Sequence, residues 1–266
     1  MITSLHNKEI KEAAALAAKK KERDRQKLFV VEGPKMFGEA PAERISRVYL
    51  AQSAAAQMQG QYGEKLAALS CETVSDEVFA KMSDTKTPQG ILCLVRQQQY
   101  NIEEILQNKN EKQPLLIILE DIQDPGNLGT IFRTAEAAGA DGVIMSSRTA
   151  DIYNPKTIRS TMGSVYRIPF LYVEDLPSAI RRMKERGVSV YAAHLEGTAV
   201  YDACCYQRGT AFLIGNEANG LREETAACAD ALIHIPMEGQ VESLNAAVAS
   251  SILLFEASRQ RRISKS

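Results

Sequence analysis

Cysteine is scarce in this sequence and follows no ligand pattern. The 266 residues include five cysteines, and no two of them are spaced as C-x-x-C, so neither a disulfide framework nor a zinc site is indicated. No apolar run approaches the roughly 18 residues of a membrane span. The first 25 residues also lack the apolar core that a secretory signal needs. We therefore expect a cytoplasmic protein with no metal and no membrane partner.

Glycine-rich nucleotide loops are missing as well. The pattern G-x-G-x-x-G does not occur. The tight turn between Gly215 and Gly220 is followed by Leu221 and Arg222, whereas a phosphate-binding P-loop has Lys and then Ser or Thr at this point. These absences disfavour both dinucleotide binding and ATP binding.

The composition that is present is that of an ordinary globular protein, with 45% hydrophobic and 24% charged residues. The net charge is −1, but the first 35 residues carry nine Lys and Arg against five Asp and Glu, whereas residues 101–266 carry 17 against 21. A basic end of this kind suits contacts with phosphates, although charge alone slightly favours an ordinary solvated helix face. The candidate phosphate contacts are Lys19–Arg25 and Arg259–Lys265.

Short apolar runs alternate with helical patterns, which indicates an α/β fold in two parts. In the first part, residues 1–97, an exposed helix is predicted over Ile10–Gln26, and further helical patterns lie around 52–59 and 76–83. Its predicted strands are Leu28–Gly33, Ile45–Ala51 and Gly90–Val95. Residues 98–113 are polar and are predicted to form a linker.

The second part, residues 114–266, has more strongly apolar strands. The predicted strands are Leu115–Asp121, Gly142–Ser146, Val188–Leu195, Thr210–Gly215 and Ala231–Met237, and the predicted helices are Leu128–Ala138, Asp175–Arg186 and Leu244–Arg262. Continuous apolar strands alternating with helices are typical of a parallel sheet covered on both faces. Such sheets bind ligands beyond the carboxyl ends of their strands. The loops after these strands are therefore the predicted functional region.

Three of these loops carry polar residues in a suggestive order. In the first, Asn127 and Arg133 accompany a helix start, where free N–H groups and a guanidinium can hold a phosphate or a carboxylate. In the second, Glu217 lies inside the turn from Gly215 to Gly220, where a carboxylate needs N–H partners. In the third, Ser243 is positioned to cap the last helix, and Asn245 is expected in the first turn of that helix. An ordinary turn and an ordinary cap explain each loop taken singly.

Taken together, the three loops resemble the signature motifs of the SpoU/TrmH family of RNA ribose 2′-O-methyltransferases, in the order of that family. The motifs are N-x-G-x-x-x-R at 127–133, I-G-N-E-x-x-G-L at 214–221 and I-P-M-x-G-x-V-x-S-L-N-x-A-V-A at 235–249. The similar region runs from about Pro114 to Arg262. The first part resembles the substrate-binding module often fused to this family, through SLHNKEIKEAAAL, FVVEGPKM and TPQGILCLV.

The resemblance implies the SPOUT fold for residues 114–266, in which the final segments pass through a loop and form a trefoil knot. The residue pattern alone would not lead us to predict a knot, because knotted chains are rare. The implied cofactor is S-adenosyl-L-methionine, held by Leu195, Gly215, Asn216, Ile235, Met237 and Leu244. Plain core packing explains Ile235 and Leu244 equally well.

The implied reaction is transfer of a methyl group to a ribose 2′-hydroxyl in RNA, with rRNA favoured over tRNA. The family assigns removal of the hydroxyl proton to Arg133, but a guanidinium with a pKa above about 12 is a poor base. An equally physical role is to bind the adjacent phosphate and stabilise the developing alkoxide. Asn127 and Asn245 are expected to orient Arg133 and the ribose, and Glu217 to tether its own loop or Arg133. Ser243 is expected to contribute by capping and by contact with the loop.

The resemblance also implies a homodimer built on the last helix and the knot. The apolar stripe Val248, Ile252 and Phe255 suits either a core or such a contact. One alternative is a catalytically silent RNA-binding protein of the same fold, which the intact Arg133 and Glu217 disfavour. Another is a methyltransferase for a base or small molecule, or a nucleotide-binding enzyme. The basic first part and the missing dinucleotide glycines disfavour both.

Overall fold

A computed structural model describes residues 1–107 and 112–264 of the chain. Its helices are α1 (Lys8–Ala18), α2 (Lys20–Gln26), α3 (Pro34–Glu39), α4 (Ala55–Ala67), α5 (Asp76–Met82), α6 (Ile102–Leu106), α7 (Pro125–Ala138), α8 (Pro155–Thr161), α9 (Leu176–Glu185), α10 (Glu223–Ala226) and α11 (Ala246–Ile263). Its strands are β1 (Leu28–Glu32), β2 (Ile45–Ala51), β3 (Cys71–Val74), β4 (Ile91–Arg96), β5 (Leu115–Leu119), β6 (Gly142–Ser146), β7 (Phe170–Val173), β8 (Ser189–Ala193), β9 (Ala199–Val200), β10 (Thr210–Ile214) and β11 (Ala231–His234).

The chain divides into two compact units, each with its own sheet. The first unit comprises Met1–Gln98 with Asp151–Tyr166, and the second comprises Gln99–Ala150 with Arg167–Ser266. Residues 151–166 thus belong to the first unit although they lie within the predicted second part. The local sequence pattern does not indicate that a segment from the second part packs with the first unit.

The first unit contains a four-stranded mixed sheet in the order β1-β4-β2-β3. β4 is antiparallel to β1 and to β2, whereas β2 and β3 are parallel. The three strands predicted for this part are present within one residue at each end. β3 was not predicted, because its sequence, CETV, is short and only Val74 is buried.

The prediction of one exposed helix over Ile10–Gln26 is wrong in two respects. The backbone is extended at Lys19, so that α1 and α2 are separate helices. The spacing of Ile10, Ala13 and Leu16 by three residues gives α1 an apolar side, and all three are buried in the core of the unit.

Arg23, within the candidate phosphate-binding segment Lys19–Arg25, has a structural role instead. Its side chain is only 3% exposed, and it donates two hydrogen bonds to Asp151 Oδ2, at 2.9 and 2.7 Å. It also donates to the carbonyl oxygens of Leu16 and Ala17. A guanidinium used in this way is not available to RNA, which corrects the prediction for this residue.

The second unit contains a seven-stranded sheet in the order β7-β6-β5-β10-β8-β11-β9, and every strand pair in it is parallel. The predicted parallel α/β class is therefore confirmed. β5 and β10 are buried along their whole length, because helices cover both faces of the sheet. β10 lies between β5 and β8, although both precede it in the chain.

The predicted linker 98–113 includes a helix, α6. Asn101 and Glu104 form a capping box at its start, and Ile102, Ile105 and Leu106 are buried in the core of the second unit. Residues 108–111 of the predicted linker lie outside the described residues.

The basic segment Arg259–Lys265 is also used structurally. The guanidinium of Arg261 donates to the carbonyl oxygens of Gln113, Pro114, Tyr206 and Arg208, at 2.7 to 3.0 Å. Burial lowers the pKa of Arg261. Arg259 pairs with Glu256 one turn earlier in α11, and Lys265 lies outside the described residues.

None of the described helices is long and apolar enough to cross a membrane. Across the described ranges, no cluster of three or more His, Cys, Asp or Glu side chains is arranged to hold a metal ion.

Candidate active site

Four neighbouring strands bring the polar loops to one edge of the second sheet. β5, β10, β8 and β11 are adjacent in this order and run parallel, so their carboxyl ends meet at the same edge. The loops that follow them are 120–124, 215–222, 194–198 and 235–245. The second and third motifs and Leu195 therefore lie largely in loops that follow neighbouring strands, and the first motif lies in α7, which begins directly after the loop 120–124.

Glu217 joins the loop after β10 to the loop after β5. Its carboxylate accepts hydrogen bonds from the backbone N–H groups of Gln123 (3.0 Å) and Asp124 (3.2 Å) and from Asn127 Nδ2 (3.0 Å). These bonds tether the second motif to the first. No hydrogen bond links this carboxylate to Arg133 within the described part of the chain.

The start of α7 was expected to hold a phosphate or a carboxylate, and it holds carboxylates of the chain itself. Asp124 is the N-cap residue, and its Oδ1 accepts from Asn127 N at 2.8 Å. Glu217 takes the two N–H groups just before the helix. Carboxylates of the chain thus accept hydrogen bonds from three N–H groups at and just before the start of α7.

The pKa of Glu217 reflects this arrangement. Partial burial, the largest single influence, acts to raise it, but the hydrogen bonds from Asn127, Gln123 and Asp124 together lower it below the usual value for a glutamate. Hydrogen bonds donated to a carboxylate favour its charged form. Glu217 is therefore ionised at neutral pH and acts as an anionic acceptor.

Asn127 and Asn245 extend the network to the third motif. Asn245 Nδ2 donates to Asn127 Oδ1 at 2.9 Å, and Asn245 Oδ1 caps α11 by accepting from Ala247 N and Val248 N. The helix thus begins at Ala246, and the expectation that Ser243 caps it is wrong. Asn is among the strongest N-cap residues, which explains the later start. Ser243 is exposed two residues before this cap.

α7 and α11 lie side by side and run in the same direction. Asn127 meets Asn245 near their starts, and Thr134 Oγ1 meets Ser251 Oγ at 3.2 Å one to two turns further on. This packing fixes the first and third motifs relative to each other.

Arg133 lies in the middle of α7 with its side chain exposed. Over residues 1–107 and 112–264, no hydrogen bond or ion pair engages its guanidinium. Neither Asn127 nor Asn245 orients it directly. A charged fork with no protein partner is suited to an anionic group from outside the chain.

The loop 215–222 is closed on itself at its base. A Cβ atom at Gly215 would lie 2.3 Å from the carbonyl carbon of Gly220 and 2.4 Å from Leu221 N, so only glycine fits there. Asn216 and Gly220 exchange backbone hydrogen bonds, and Asn216 Oδ1 accepts from Ala218 N and from Asn219 N and Nδ2. Asn216 Nδ2 donates to Asp121 O at 2.7 Å. In this structure, therefore, the side chain of Asn216 organises its own loop.

Several apolar side chains expected around the cofactor are exposed to solvent, as the walls of a binding site for an apolar group would be. Leu195 is 67% exposed in the loop after β8, and Ile235, Met237 and Leu244 are partly exposed in the loop after β11 at the same edge. Nδ1 of His234, at the end of β11, is buried without a hydrogen-bond partner among the described residues. Large apolar side chains left in solvent beside an unsatisfied polar atom fit a ligand that has both an aromatic and a polar part.

Two acidic residues of the site were not singled out from the sequence. Glu120 is 1% exposed and binds Arg222 and Thr225, beyond the second motif. Asp121 has a left-handed backbone (φ 54°), and Ser146 Oγ donates to its carboxylate at 2.6 Å. The position of Glu120 directly after an apolar strand could have marked it as a candidate from the sequence. Its partners, however, can be identified only once β10 is known to lie beside β5.

These features define a class: an α/β enzyme domain whose site is built from hydrogen-bonded loops at the carboxyl edge of a parallel sheet. Residues 114–255 match the model of the SpoU rRNA methylase family, and residues 7–93 match an MRM3-like substrate binding domain. The 23S rRNA (guanosine(2553)-2′-O)-methyltransferase RlmP of Bacillus subtilis is 32% identical over 256 residues, which cover 96% of this chain and 97% of that protein.

Solved structures are similar over the same length. An AdoMet-bound rRNA methyltransferase from Sinorhizobium meliloti is 34% identical with a TM-score of 0.84, covering 97% of both chains. The SpoU methyltransferase AviRb from Streptomyces viridochromogenes, in complex with AdoMet, is 25% identical with a TM-score of 0.86, covering 97% of this chain and 99% of that one. The chain belongs to the SpoU rRNA methylase family. The predicted family, the RNA 2′-O-methyltransferase class and the S-adenosylmethionine cofactor are thereby confirmed.

Proposed function

We propose that this protein methylates a ribose 2′-hydroxyl of ribosomal RNA. The observation that carries the proposal is the continuous network Glu217–Asn127–Asn245, which links the three motifs, together with the unpartnered guanidinium of Arg133 further along α7. Methyl transfer requires donor and acceptor to be aligned, and rigid loops are the means to align them. The silent alternative gains no support, since the relatives reported above are all named as methyltransferases.

Ribosomal rather than transfer RNA is favoured by two of these relatives. The protein from Bacillus subtilis is named for 23S rRNA, and that from Sinorhizobium meliloti for rRNA. We also propose that this protein works in the cytoplasm. We further propose that residues 1–97 bind the RNA, that 98–113 connect the parts, and that 114–266 carry the cofactor and the chemistry in a knotted SPOUT domain.

S-adenosylmethionine supplies a methyl group activated by a sulfonium. We propose that it is held by main-chain and apolar groups of Leu195, Gly215, Asn216, Ile235, Met237 and Leu244. The close crossing of Gly215 over Gly220 and Leu221 shapes the backbone part of this site, and the exposed apolar side chains suit the adenine ring.

Arg133 is proposed to bind the phosphate next to the target ribose and to stabilise the alkoxide that forms as the hydroxyl loses its proton. A guanidinium stays protonated at neutral pH, so this electrostatic role suits it better than proton removal. Asn127, Glu217 and Asn245 hold the surrounding loops, and the exposed Ser243 is proposed to contact the substrate.

A homodimer is part of the proposal. Val248 and Phe255 lie seven residues apart on α11, and each is 47% exposed, so the stripe predicted from the sequence is not a core. Ile252, between them, is half-buried. An exposed apolar stripe on a helix suits contact with a second copy of the chain.

The test of the catalytic role uses Arg133→Ala and Arg133→Lys in single-turnover methylation of rRNA with cofactor in excess. We expect both to reduce the rate at least 100-fold, because an ammonium cannot reproduce the planar fork, while cofactor affinity stays within twofold. Arg181→Ala, an exposed arginine on α9, is the matched control and should leave the rate unchanged. A near-normal rate for Arg133→Lys would refute the proposed geometry.

The substrate itself is tested by mapping ribose methylation across total RNA from cells with and without the protein. A methylation lost from one ribosomal nucleotide is expected, and a loss confined to transfer RNA would contradict the proposal.

A further inference from the structure

Glu120 is an almost fully buried carboxylate at the edge of the site. It follows β5 directly, and its backbone N–H donates to Ile214 O at the end of β10, so it lies where the loop 215–222 begins. A buried carboxylate is strongly unfavourable unless it is paired and hydrogen-bonded. The hydrogen-bond partners of Glu120 therefore indicate its role in the structure.

The three hydrogen-bond donors to the Glu120 carboxylate belong to two residues, Arg222 at the far end of the loop 215–222 and Thr225 just beyond it in α10. Glu120 Oε2 accepts from Arg222 N at 2.8 Å, and Oε1 accepts from Arg222 Nε at 2.8 Å and from Thr225 Oγ1 at 2.6 Å. One carboxylate thus binds the main chain and the side chain of Arg222 and the first turn of α10. Both carboxylate oxygens accept hydrogen bonds here. A glutamine at this position would have only one accepting oxygen, and its NH₂ group would face a donor.

The loop is consequently fixed at both ends by neighbouring strands. Its start continues β10, and its end is held by the residue that follows β5. Between the two ends, the backbone of Gly220 and Leu221 passes over Gly215 at a distance that excludes even a methyl group. Leu221 takes part in this crossing, and Arg222, which Glu120 binds, is the next residue.

We propose that Glu120 is a positioning residue for cofactor binding, acting through Arg222 to hold the crossing of Gly215 by Gly220 and Leu221. The inference rests on the proposed function in one respect, namely that this loop contributes to the cofactor site. Glu120 is too deeply buried to touch cofactor or substrate, so its effect falls on cofactor affinity and not on the chemical step.

The first unit offers a matched control. Glu32, the last residue of β1, is also buried, and its carboxylate accepts from Ser83 Oγ (2.8 Å), Thr85 Oγ1 (3.2 Å) and Gln89 N (3.0 Å) of a distant loop. Glu32→Gln therefore removes the same charge from the same kind of environment, in the unit that does not contain the four loops.

The experiment measures the dissociation constant of S-adenosylmethionine by calorimetry for the full-length protein. Glu120→Gln is expected to weaken binding 10- to 100-fold and Thr225→Val three- to tenfold, whereas Glu32→Gln should stay within twofold of the wild type. At saturating cofactor, the single-turnover rate of Glu120→Gln should stay within threefold. Glu120→Asp, which keeps the charge on a shorter stem, should bind between the wild type and Glu120→Gln.

Unchanged affinity in a folded Glu120→Gln or Thr225→Val protein would overturn the inference. So would a reduced rate at saturating cofactor with unchanged affinity. If Glu120→Gln fails to fold, Thr225→Val and Glu120→Asp decide the matter by the same measurement. A wild-type protein that binds no cofactor would instead refute the proposed function, which keeps the two failures apart.

Discussion

Replacing Asn127 by Asp places a second carboxylate against Glu217. Asn127 Nδ2 now donates to Glu217 Oε1 at 3.0 Å, and in Asn127→Asp an oxygen takes the place of this donor. Two unit charges about 4 Å apart repel by about 1 kcal/mol in water and about 4 kcal/mol at the effective dielectric near a protein surface. We expect Asn127→Asp to lose about 1 to 4 kcal/mol of unfolding free energy at pH 7.5.

Asn127→Ala separates repulsion from the loss of a contact. It removes the hydrogen bonds to Glu217 and Asn245, each worth about 1 kcal/mol, without adding charge. Its loss of stability should therefore be the same at pH 7.5 and at pH 5.0.

The pH dependence decides between the two variants. In the wild type the pKa of Glu217 is lowered, so the stability it contributes is fully present above the usual carboxyl pKa and is lost only as the pH falls through the lowered value, below 4.5. In Asn127→Asp one carboxyl of the pair has a raised pKa. As the pH falls, the folded variant then takes up a proton at a higher pH than the unfolded chain does. Its loss of unfolding free energy relative to the wild type therefore becomes smaller as the pH falls through that raised pKa.

Urea unfolding followed by circular dichroism at pH 7.5 and pH 5.0 measures both effects. The reasoning predicts a smaller deficit at pH 5.0 for Asn127→Asp and a constant one for Asn127→Ala. Equal, pH-independent losses in the two variants would show that Asn127 and Glu217 are not in contact.

Two further predictions concern backbone geometry and the basic tail. Gly215→Ala should weaken cofactor binding at least tenfold, because its Cβ would lie 2.3 Å from the Gly220 carbonyl carbon; Gly60→Ala, in α4 of the first unit with open space around it, should bind normally in the same calorimetric assay. Arg261→Gln should cost about 2 to 4 kcal/mol in urea unfolding by removing the hydrogen bonds of the guanidinium to four carbonyl groups, with no change in the salt dependence of RNA binding. Arg259→Gln breaks only an exposed pair and should cost less than about 1 kcal/mol; similar losses in both would contradict the assignment.

Much of the secondary structure follows from local pattern, and the failures have local reasons. β2 and β6 were predicted to the residue, because each is an apolar run bounded by turn or polar residues. β3 was missed for want of apolar residues. The helix over Ile10–Gln26 was drawn through Lys19, because an extended residue between two helix-favouring stretches leaves no mark in composition.

For the candidate site, too, the sequence predicted some features and missed others. Asn127, Glu217 and Asn245 were identified from their motifs, but their mutual hydrogen bonds were not. Arg23 and Arg261 were grouped with the lysines as phosphate contacts, since charge counts do not distinguish an exposed guanidinium from one that caps carbonyl groups. Burial distinguishes them, and burial is a property of packing.

By itself, the amino-acid order determined the parallel α/β class, the family and the residue types at the site, because apolar periodicity and short motifs are carried by neighbours in the chain. Tertiary structure alone decided that β10 enters between β5 and β8. That placement brings Glu120 to Arg222 and Glu217 to Asn127 across roughly a hundred residues of chain. Hydrogen bonds act over about 3 Å of space, and only the strand order converts distant positions in the chain into such distances.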